Sequence, residues 1–192
     1  MATTLVVGAT RGLGAAIVKN YASRPSTFVI GTARGSQTPS NSENVSYIPD
    51  IDIATEPAGS NLAKAIKQSG KQLDTVIINA GFFGKESFDE PNWESELKMY
   101  TTSSIAPVFL VHHLVKSGLL KNGSKVVLIS SESGSITLRH ESEGGGNYGH
   151  HASKTALNMV GKLLSIDLKD AGIAVGMVHP GFMRTEMTKG VG

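Results

Sequence analysis

The chain has 192 residues, a formal net charge of +2 and no cysteine. The lack of cysteine excludes disulfides, thiol nucleophiles and cysteine metal sites, and the small net charge without a long basic run does not indicate nucleic acid or a membrane surface as a partner. Hydrophobic residues make up 40% of the chain and charged residues 18%, which is typical of a single globular domain with a substantial core. Because no apolar run is long enough for a membrane span or a signal peptide, we expect one cytoplasmic domain over residues 1–192.

Short apolar runs alternate along the chain with longer stretches of helical periodicity. The apolar runs predict six buried strands, at 5–7, 28–34, 45–53, 73–79, 125–130 and 173–179. The periodic stretches predict helices at 15–23, 56–70, 92–117 and 149–171. Pro107 should produce a kink in the third of these helices. Residues 35–44 and 132–147 are polar and rich in turn-forming residues, so we predict loops there.

This alternation of strands and helices predicts the fold class. Mostly apolar strands joined by helices form a parallel sheet that is covered on both faces, a three-layer α/β/α arrangement. Right-handed crossovers then give a doubly wound α/β fold, the Rossmann fold, in which ligands bind beyond the carboxyl ends of the strands. The residues that should meet at that edge lie at the carboxyl ends of five of the predicted strands: Gly8, Arg34, Asn79, Ser130 with Ser131, and Pro180 with Gly181.

A glycine-rich turn follows the first predicted strand. Gly8, Gly12 and Gly14 lie between that strand and a helical stretch that begins near Ala15. Glycine lets backbone N–H groups approach a pyrophosphate, and the N-terminus of a helix supplies partial positive charge. The turn therefore indicates a nucleotide site, while a tight turn before a helix that packs closely on its sheet is the structural alternative.

Five short motifs, spread in order over essentially the whole chain, resemble those of the short-chain dehydrogenase/reductase family. They are Gly-x-x-x-Gly-x-Gly at 8–14, Asn-Ala-Gly at 79–81, Ser-Ser at 130–131, Ala-Ser-Lys at 152–154 and Pro-Gly at 180–181. The run Ala-Ser-Lys-Thr-Ala-Leu-Asn at 152–158 is most similar to the small carbonyl-reductase-like branch of that family. The resemblance implies an oxidoreductase with an NAD(P) cofactor.

The residues near the cofactor ribose favour NADP(H) over NAD(H). NAD binding usually needs a carboxylate after the second strand, but Arg34 stands there, and Arg11 lies inside the glycine turn. Two guanidinium groups suit a 2′-phosphate. For the adenine contact the resemblance favours Asp52 with Ile53, and Asp50 is the competing register. The family pattern implies the following cofactor-binding residues: Gly8, Thr10, Arg11, Gly12, Leu13, Gly14, Arg34, Asp52, Ile53, Asn79, Ala80, Gly81, Lys154, Pro180, Gly181 and Thr185.

The resemblance implies a catalytic set of Asn, Ser, Tyr and Lys, of which this chain keeps two. Ser131 matches the serine that positions a substrate carbonyl, and Lys154 matches the lysine that holds the nicotinamide ribose and lowers the pKa of the acid beside it. The tyrosine should lie four residues before the lysine, one helical turn away on the same face. His150 occupies that position, and Ser103 occupies the position inferred for the asparagine.

The sequence offers two candidates for the proton donor. Tyr148 lies six residues before Lys154, about 600° of helical rotation away, so it can reach inward only if the helix begins later. His150 can donate a proton directly, since the pKa of imidazole lies near 6.5, although Lys154 and an oxidised nicotinamide disfavour its charged form.

These changes leave two functional hypotheses. The first is NADPH-dependent reduction of a small-molecule carbonyl, with His150 or Tyr148 as the acid. The second is a protein of the same fold that binds NADP(H) without net redox chemistry, as a regulator or as a cyclase, isomerase or dehydratase.

Family members usually continue past the Pro-Gly turn with a substrate-covering helix and a seventh strand. This chain stops at Gly192, inside what should be the substrate loop at 182–192. We therefore expect either a shortened member that lacks both elements or a part of a longer chain. Family analogy places dimer contacts on the helices at 92–117 and 149–171, which predicts a homodimer or homotetramer. No recognised ligand spacing predicts a metal site.

Overall fold

The computed structural model describes residues 1–183 and Thr185. Within these residues a single sheet has six strands in the order β3-β2-β1-β4-β5-β6, and all neighbouring strands run parallel. The strands are β1 (Ala2–Val7), β2 (Thr27–Thr32), β3 (Val45–Ile48), β4 (Leu73–Ile78), β5 (Leu120–Ile129) and β6 (Ala174–Val178). The order reverses between β1 and β4, so the predicted doubly wound parallel sheet is confirmed.

Helices cover both faces of the sheet, but unequally. The α-helices are α1 (Gly12–Ala22), α2 (Ala58–Gln68), α3 (Trp93–Tyr100), α4 (Ala106–Lys116) and α5 (Tyr148–Asp167). Leu5 and Val7 of β1 belong to a large core cluster with residues of α2, α4 and α5, whereas Val6 packs with Val18 of α1. Successive strand residues point to opposite faces. The larger core therefore lies under α2, α4 and α5, and the smaller core lies under α1.

The predicted strand at 45–53 is wrong beyond Ile48. Asp50 has a φ of 57°, a left-handed conformation that cannot continue a strand. Ile51 and Ile53 nevertheless remain 5% and 7% exposed, because the loop turns their side chains into the large core. The apolar pattern at 45–53 therefore indicates which side chains are buried, whereas the left-handed backbone at Asp50 determines where the strand ends.

The predicted helix at 92–117 consists of three parts. A π-helical segment, Thr101–Ile105, separates α3 from α4, and the N–H of Ala106 donates to the carbonyl of Thr101. Pro107 has no N–H to donate to the carbonyl four residues earlier, that of Ser103, so the regular α-helical pattern breaks at this point. The irregularity expected from Pro107 thus takes the form of a wide turn that contains Ser103.

The C-terminal part of the predicted substrate loop, residues 184 and 186–192, lies outside the described residues. In the part of the chain that is described, no helix has the length and apolar character needed to cross a membrane. The loop predicted at 132–147 contains two short 3-10 turns, Glu132–Gly134 and Glu141–Glu143. Both precede α5, which begins at Tyr148.

Candidate active site

The glycine turn after β1 packs directly on the segment that follows β4. Gly8 has a φ of 80°, and a Cβ at this position would lie 2.7 Å from the Cα of Ala80. A Cβ at Gly14 would overlap the carbonyl oxygen of Gly8. The Asn79 side-chain amide donates to that same carbonyl at 2.8 Å. Glycine is therefore required at both positions, and Asn79 and Ala80 form one side of the turn.

The N-terminus of α1 carries no acidic side chain that would repel an anion. Within the described residues, the side chain of the N-cap residue Arg11 makes no capping hydrogen bond, and the first turn of α1 contains no acidic residue. Thr10, Arg11 and Gly12 are exposed, and Leu13 is partly buried. The N–H groups in the first turn of a helix and the positive end of its dipole attract phosphate. The residues present therefore fit the pyrophosphate of a dinucleotide.

The residues predicted to contact the adenosine half follow β2 and β3. Arg34 is exposed two residues after the end of β2. Asp52 accepts a hydrogen bond from the N–H of Ala54 at 3.1 Å, and Ile53 is buried. Asp50, the competing register, is exposed. The structure thus separates the two aspartates: Asp52 belongs to the turn before α2, and Asp50 projects at the surface.

The segment after β6 returns to the glycine turn. The Thr185 Cγ2 lies 3.5 Å from the position that a Cβ on Gly12 would occupy. Pro180 is partly buried, and Gly181 is exposed with a φ of 77°. The structure therefore brings Thr185 beside the predicted phosphate site, although 173 residues separate it from Gly12 in the chain (185 − 12).

Ser131 and Lys154 meet at the end of β5. The Lys154 Nζ donates to the carbonyl of Ile129 at 2.8 Å. Ser131 lies two residues further on, and its Oγ accepts a hydrogen bond from the N–H of Ser133 at 3.1 Å. The serine hydroxyl still has a proton to donate, because in that contact it acts as an acceptor.

Further hydrogen bonds fasten the segment after β5 to α5. The Ser130 Oγ donates to the Asn158 Oδ1 at 2.6 Å. The Thr155 Oγ1 donates to the carbonyl of Gly134 at 3.0 Å. These contacts fix the Ser131 backbone relative to the helix that carries Lys154.

His150 lies one helical turn before Lys154, in a site that disfavours its charge. Its ring packs edge-on against Phe83 with 5.2 Å between the ring centroids. Burial, and next the charges of Lys154 and His151, lower the pKa of His150 to about 4. Burial also lowers the pKa of Lys154 to about 8. Near neutral pH, therefore, His150 is uncharged and Lys154 is mostly charged.

Tyr148 and Ser103 are the other two residues predicted to take part in catalysis. Tyr148 is the first residue of α5 and is 43% exposed, with its hydroxyl beside Gly145. The helix does not begin later, so the six-residue spacing keeps Tyr148 off the face of Lys154. Ser103 is buried in the π-helical segment, which packs against α5. Such segments are frequent at functional sites.

One further residue, Glu86, is not indicated by any sequence pattern. It lies in the polar loop between β4 and α3 and is only 6% exposed. Its Oε1 accepts a hydrogen bond from the N–H of Gly149, in the first turn of α5, at 2.5 Å. Charged residues stand on both sides of it in the chain, and only the tertiary fold distinguishes it from Lys85 or Asp89.

Together, the six-stranded parallel sheet and the helices on both of its faces define a protein of the Rossmann fold class. The sequence model of the short chain dehydrogenase family matches residues 2–192. The chain therefore belongs to the short-chain dehydrogenase family of oxidoreductases.

Three relatives illustrate how broadly this similarity extends. The 1-hydroxy-2-glutathionyl-2-methyl-3-butene dehydrogenase of Rhodococcus sp. (strain AD45) is 27% identical over 189 residues, which cover 98% of this chain and 81% of that protein. The crystal structure of carbonyl reductase Sniffer of D. melanogaster has a TM-score of 0.86 and 25% identity, over 97% of this chain and 83% of that chain. A short-chain dehydrogenase/reductase from Burkholderia multivorans with bound NADP has a TM-score of 0.82 and 26% identity, over 97% and 81% of the respective chains.

Proposed function

We propose that this chain is an NADPH-dependent oxidoreductase that reduces a carbonyl group of a small organic substrate. The observation that carries this proposal is that Lys154, held at the end of β5, interacts electrostatically with His150 at the sheet edge where the glycine turn and Ser131 also follow their strands. The similarity to carbonyl reductase Sniffer and to an NADP-bound relative supports it.

The cofactor would supply a hydride to the substrate carbon. The turn around Gly8, Gly12 and Gly14 would hold its pyrophosphate on the N-terminus of α1. Arg11 and Arg34, both exposed, would bind the 2′-phosphate that distinguishes NADPH from NADH. The remaining cofactor contacts are those predicted from the family pattern: Thr10, Leu13, Asp52, Ile53, Asn79, Ala80, Gly81, Lys154, Pro180, Gly181 and Thr185.

The protein's own residues would act on the substrate oxygen. The Ser131 hydroxyl would donate a hydrogen bond to the carbonyl oxygen and so orient it. When the carbonyl carbon gains a hydride, the oxygen becomes an alkoxide and needs one proton to give the alcohol. His150 would supply that proton, while Lys154 would hold the ribose and keep the pKa of His150 low.

The low pKa of His150 also favours a second candidate. With a pKa of about 4, only about one imidazole in a thousand carries a proton at pH 7. A proton donor that is so rarely charged fits slow turnover, or a protein that binds NADP(H) and performs no net redox reaction. The second function would be cofactor-dependent regulation or a reaction such as isomerisation or dehydration.

One experiment separates the two functions. NADPH binding is measured by fluorescence, and NADPH oxidation is then followed by absorbance with phenanthrenequinone and para-nitrobenzaldehyde as probe carbonyls. The first function predicts oxidation that His150→Ala abolishes. Binding without oxidation of NADPH by any carbonyl would instead support the second.

Three arginine substitutions test the preference for NADPH over NADH. We expect Arg11→Ala and Arg34→Ala each to weaken NADPH binding by about tenfold while changing NADH binding little, because each removes one charge beside the 2′-phosphate. Arg24→Ala should leave both unchanged, since Arg24 stacks on Tyr21 at the opposite end of α1. Equal losses for NADPH and NADH would contradict the 2′-phosphate role.

A further inference from the structure

Glu86 joins the loop after β4 to the start of α5 through three hydrogen bonds. Its Oε1 accepts from the N–H of Gly149 at 2.5 Å. Its backbone carbonyl accepts from the N–H of Asn147 at 3.0 Å, and its backbone N–H donates to the Asn147 Oδ1 at 3.4 Å. Glu86, which lies 63 positions before Gly149 in the chain (149 − 86), thus binds both Asn147, the residue before the helix, and the first turn of the helix.

These contacts replace the usual cap of α5. The first N–H groups of a helix lack partners within the helix and are commonly satisfied by the side chain of the N-cap residue. Among the described residues, the side chain of the N-cap residue Asn147 makes no such bond to α5, because it accepts from Glu86 instead. Asn147 has a φ of 50°. The start of α5 is therefore determined by Glu86 rather than by its own sequence.

A second carboxyl group, that of Glu96, lies close to Glu86. The pKa of Glu96 is raised by burial and next by the charge of Glu86. Within the described part of the chain, the Glu86 Oε2 is buried and has no hydrogen-bond partner. Oε1 is therefore the carboxyl oxygen through which Glu86 holds the helix.

His150 immediately follows Gly149, the residue that Glu86 holds. Its ring also touches Phe83, three residues before Glu86 in the same loop. The loop therefore contacts the His150 ring directly and holds the backbone of the preceding residue, Gly149. A shift of this loop relative to α5 would change both contacts and with them the position of the imidazole.

We propose that Glu86 is a positioning residue for His150, acting through the first turn of α5. This inference rests on the proposed function, in which His150 meets the substrate oxygen. Glu86 itself lies under the helix and does not touch the substrate.

Two substitutions separate the geometry of Glu86 from its charge. Glu86→Gln keeps an oxygen at the length needed for Gly149 and places an amide against Glu96, so we expect kcat within about threefold of the unchanged protein. Glu86→Asp keeps the charge but withdraws the carboxyl by one methylene, and we expect kcat for phenanthrenequinone to fall by about 10- to 100-fold. The KM for NADPH should change by less than about twofold, because among the described residues the contacts with the glycine turn from this part of the chain come from Asn79 and Ala80 and not from Glu86. Glu90→Gln, at an exposed position of the same loop, is the matched control and should change neither constant.

A readout independent of turnover follows the His150 ring by NMR titration. In Glu86→Asp the first turn loosens, water reaches the ring, and the His150 pKa should rise from about 4 toward 6.5. In Glu86→Gln and Glu90→Gln it should stay low.

The outcomes distinguish this inference from the proposed function. If the unchanged protein reduces no probe carbonyl but the His150 pKa rises only in Glu86→Asp, the positioning stands and the reductase proposal fails. If Glu86→Asp folds with unchanged kcat and unchanged His150 pKa, the positioning inference is overturned. It is also overturned if Glu86→Gln loses as much activity as Glu86→Asp, because charge rather than geometry then matters. If Glu86→Asp does not fold, Glu86→Gln decides: a kcat within about threefold of the unchanged protein and a low His150 pKa keep the inference, and a larger loss of kcat overturns it.

Discussion

At the residue scale, the decisive pair is His150 and Lys154. A spacing of four residues puts both on one helix face, as the sequence predicts. The sequence also predicts that Lys154 disfavours the charged imidazole, but burial contributes more than Lys154 does. The environment of the ring, including Phe83, is therefore what makes His150 an unusual candidate acid.

We expect the rate of carbonyl reduction to rise as the pH falls. If charged His150 donates the proton, a pKa of about 4 makes the charged fraction grow about tenfold for each pH unit between about pH 7.5 and 5. Initial rates at saturating NADPH, corrected for acid loss of NADPH without protein, measure this slope. Tyr148→Phe is the control and should keep the slope. A flat profile would eliminate charged His150 as the donor.

We expect His150 to make the fold less stable in acid. Above about pH 6.5 the imidazole is neutral in both the folded and the unfolded chain, so it contributes no pH dependence. Below that pH the imidazole is protonated in the unfolded chain, whereas in the folded chain it stays neutral down to about pH 4. The free energy of unfolding therefore falls with pH, by up to about 3 kcal/mol. Urea unfolding of the unchanged protein and His150→Gln from about pH 7 to 4 tests this. Equal losses in both proteins would contradict it.

At the element scale, the glycine turn and the start of α5 differ in what determines them. The turn is a local strand–turn–helix unit whose close contacts require Gly8 and Gly14, and its sequence pattern predicts it. The start of α5 depends on Glu86, which belongs to a distant loop.

We expect Gly14→Ala to abolish NADPH binding and to destabilise the fold by about 1–3 kcal/mol. The added methyl would overlap the carbonyl oxygen of Gly8 and push α1 away from the turn. Gly35→Ala is the matched control: its Cβ would meet no atom within 4 Å, and both properties should be unchanged. Thermal unfolding and NADPH fluorescence measure the effects. Normal NADPH binding by Gly14→Ala would show that the turn does not hold the cofactor.

At the scale of the whole molecule, one apolar stripe is not used by the core. Met159, Leu163 and Ile166 of α5 are 60%, 52% and 56% exposed, at spacings that place them on one helix face. Their periodicity predicts a buried side of the helix, but the described residues leave it open. The family analogy assigns this helix to subunit contacts.

We therefore expect a homodimer or homotetramer that Leu163→Asp converts toward monomer. A charge in the middle of an apolar interface is unfavourable because it must be desolvated without a partner. Light scattering coupled to size exclusion measures the mass. Lys19→Asp, at an exposed position of α1, a helix that carries no residue of the stripe, should leave the mass unchanged. If the unchanged protein is a monomer at micromolar concentration, the prediction is wrong.

The sequence by itself determined the elements whose cause is local. The strands, the glycine turn and the helix that carries Lys154 follow from apolar periodicity and glycine spacing, and their order along the chain predicts the doubly wound sheet. The early end of β3 could not be read in this way, because the left-handed Asp50 interrupts an apolar pattern that burial alone maintains.

Only the tertiary structure decided which distant groups meet. Thr185 lies against the turn at Gly12, and Glu86 caps α5, although nothing in the adjacent sequence marks either contact. The pKa of His150 likewise depends on burial against Phe83 from another loop. The pattern of apolar residues and glycines along the chain reflects the local conformational preferences of neighbouring residues. Burial and long-range hydrogen bonds form only once the sheet has brought separate loops to one edge.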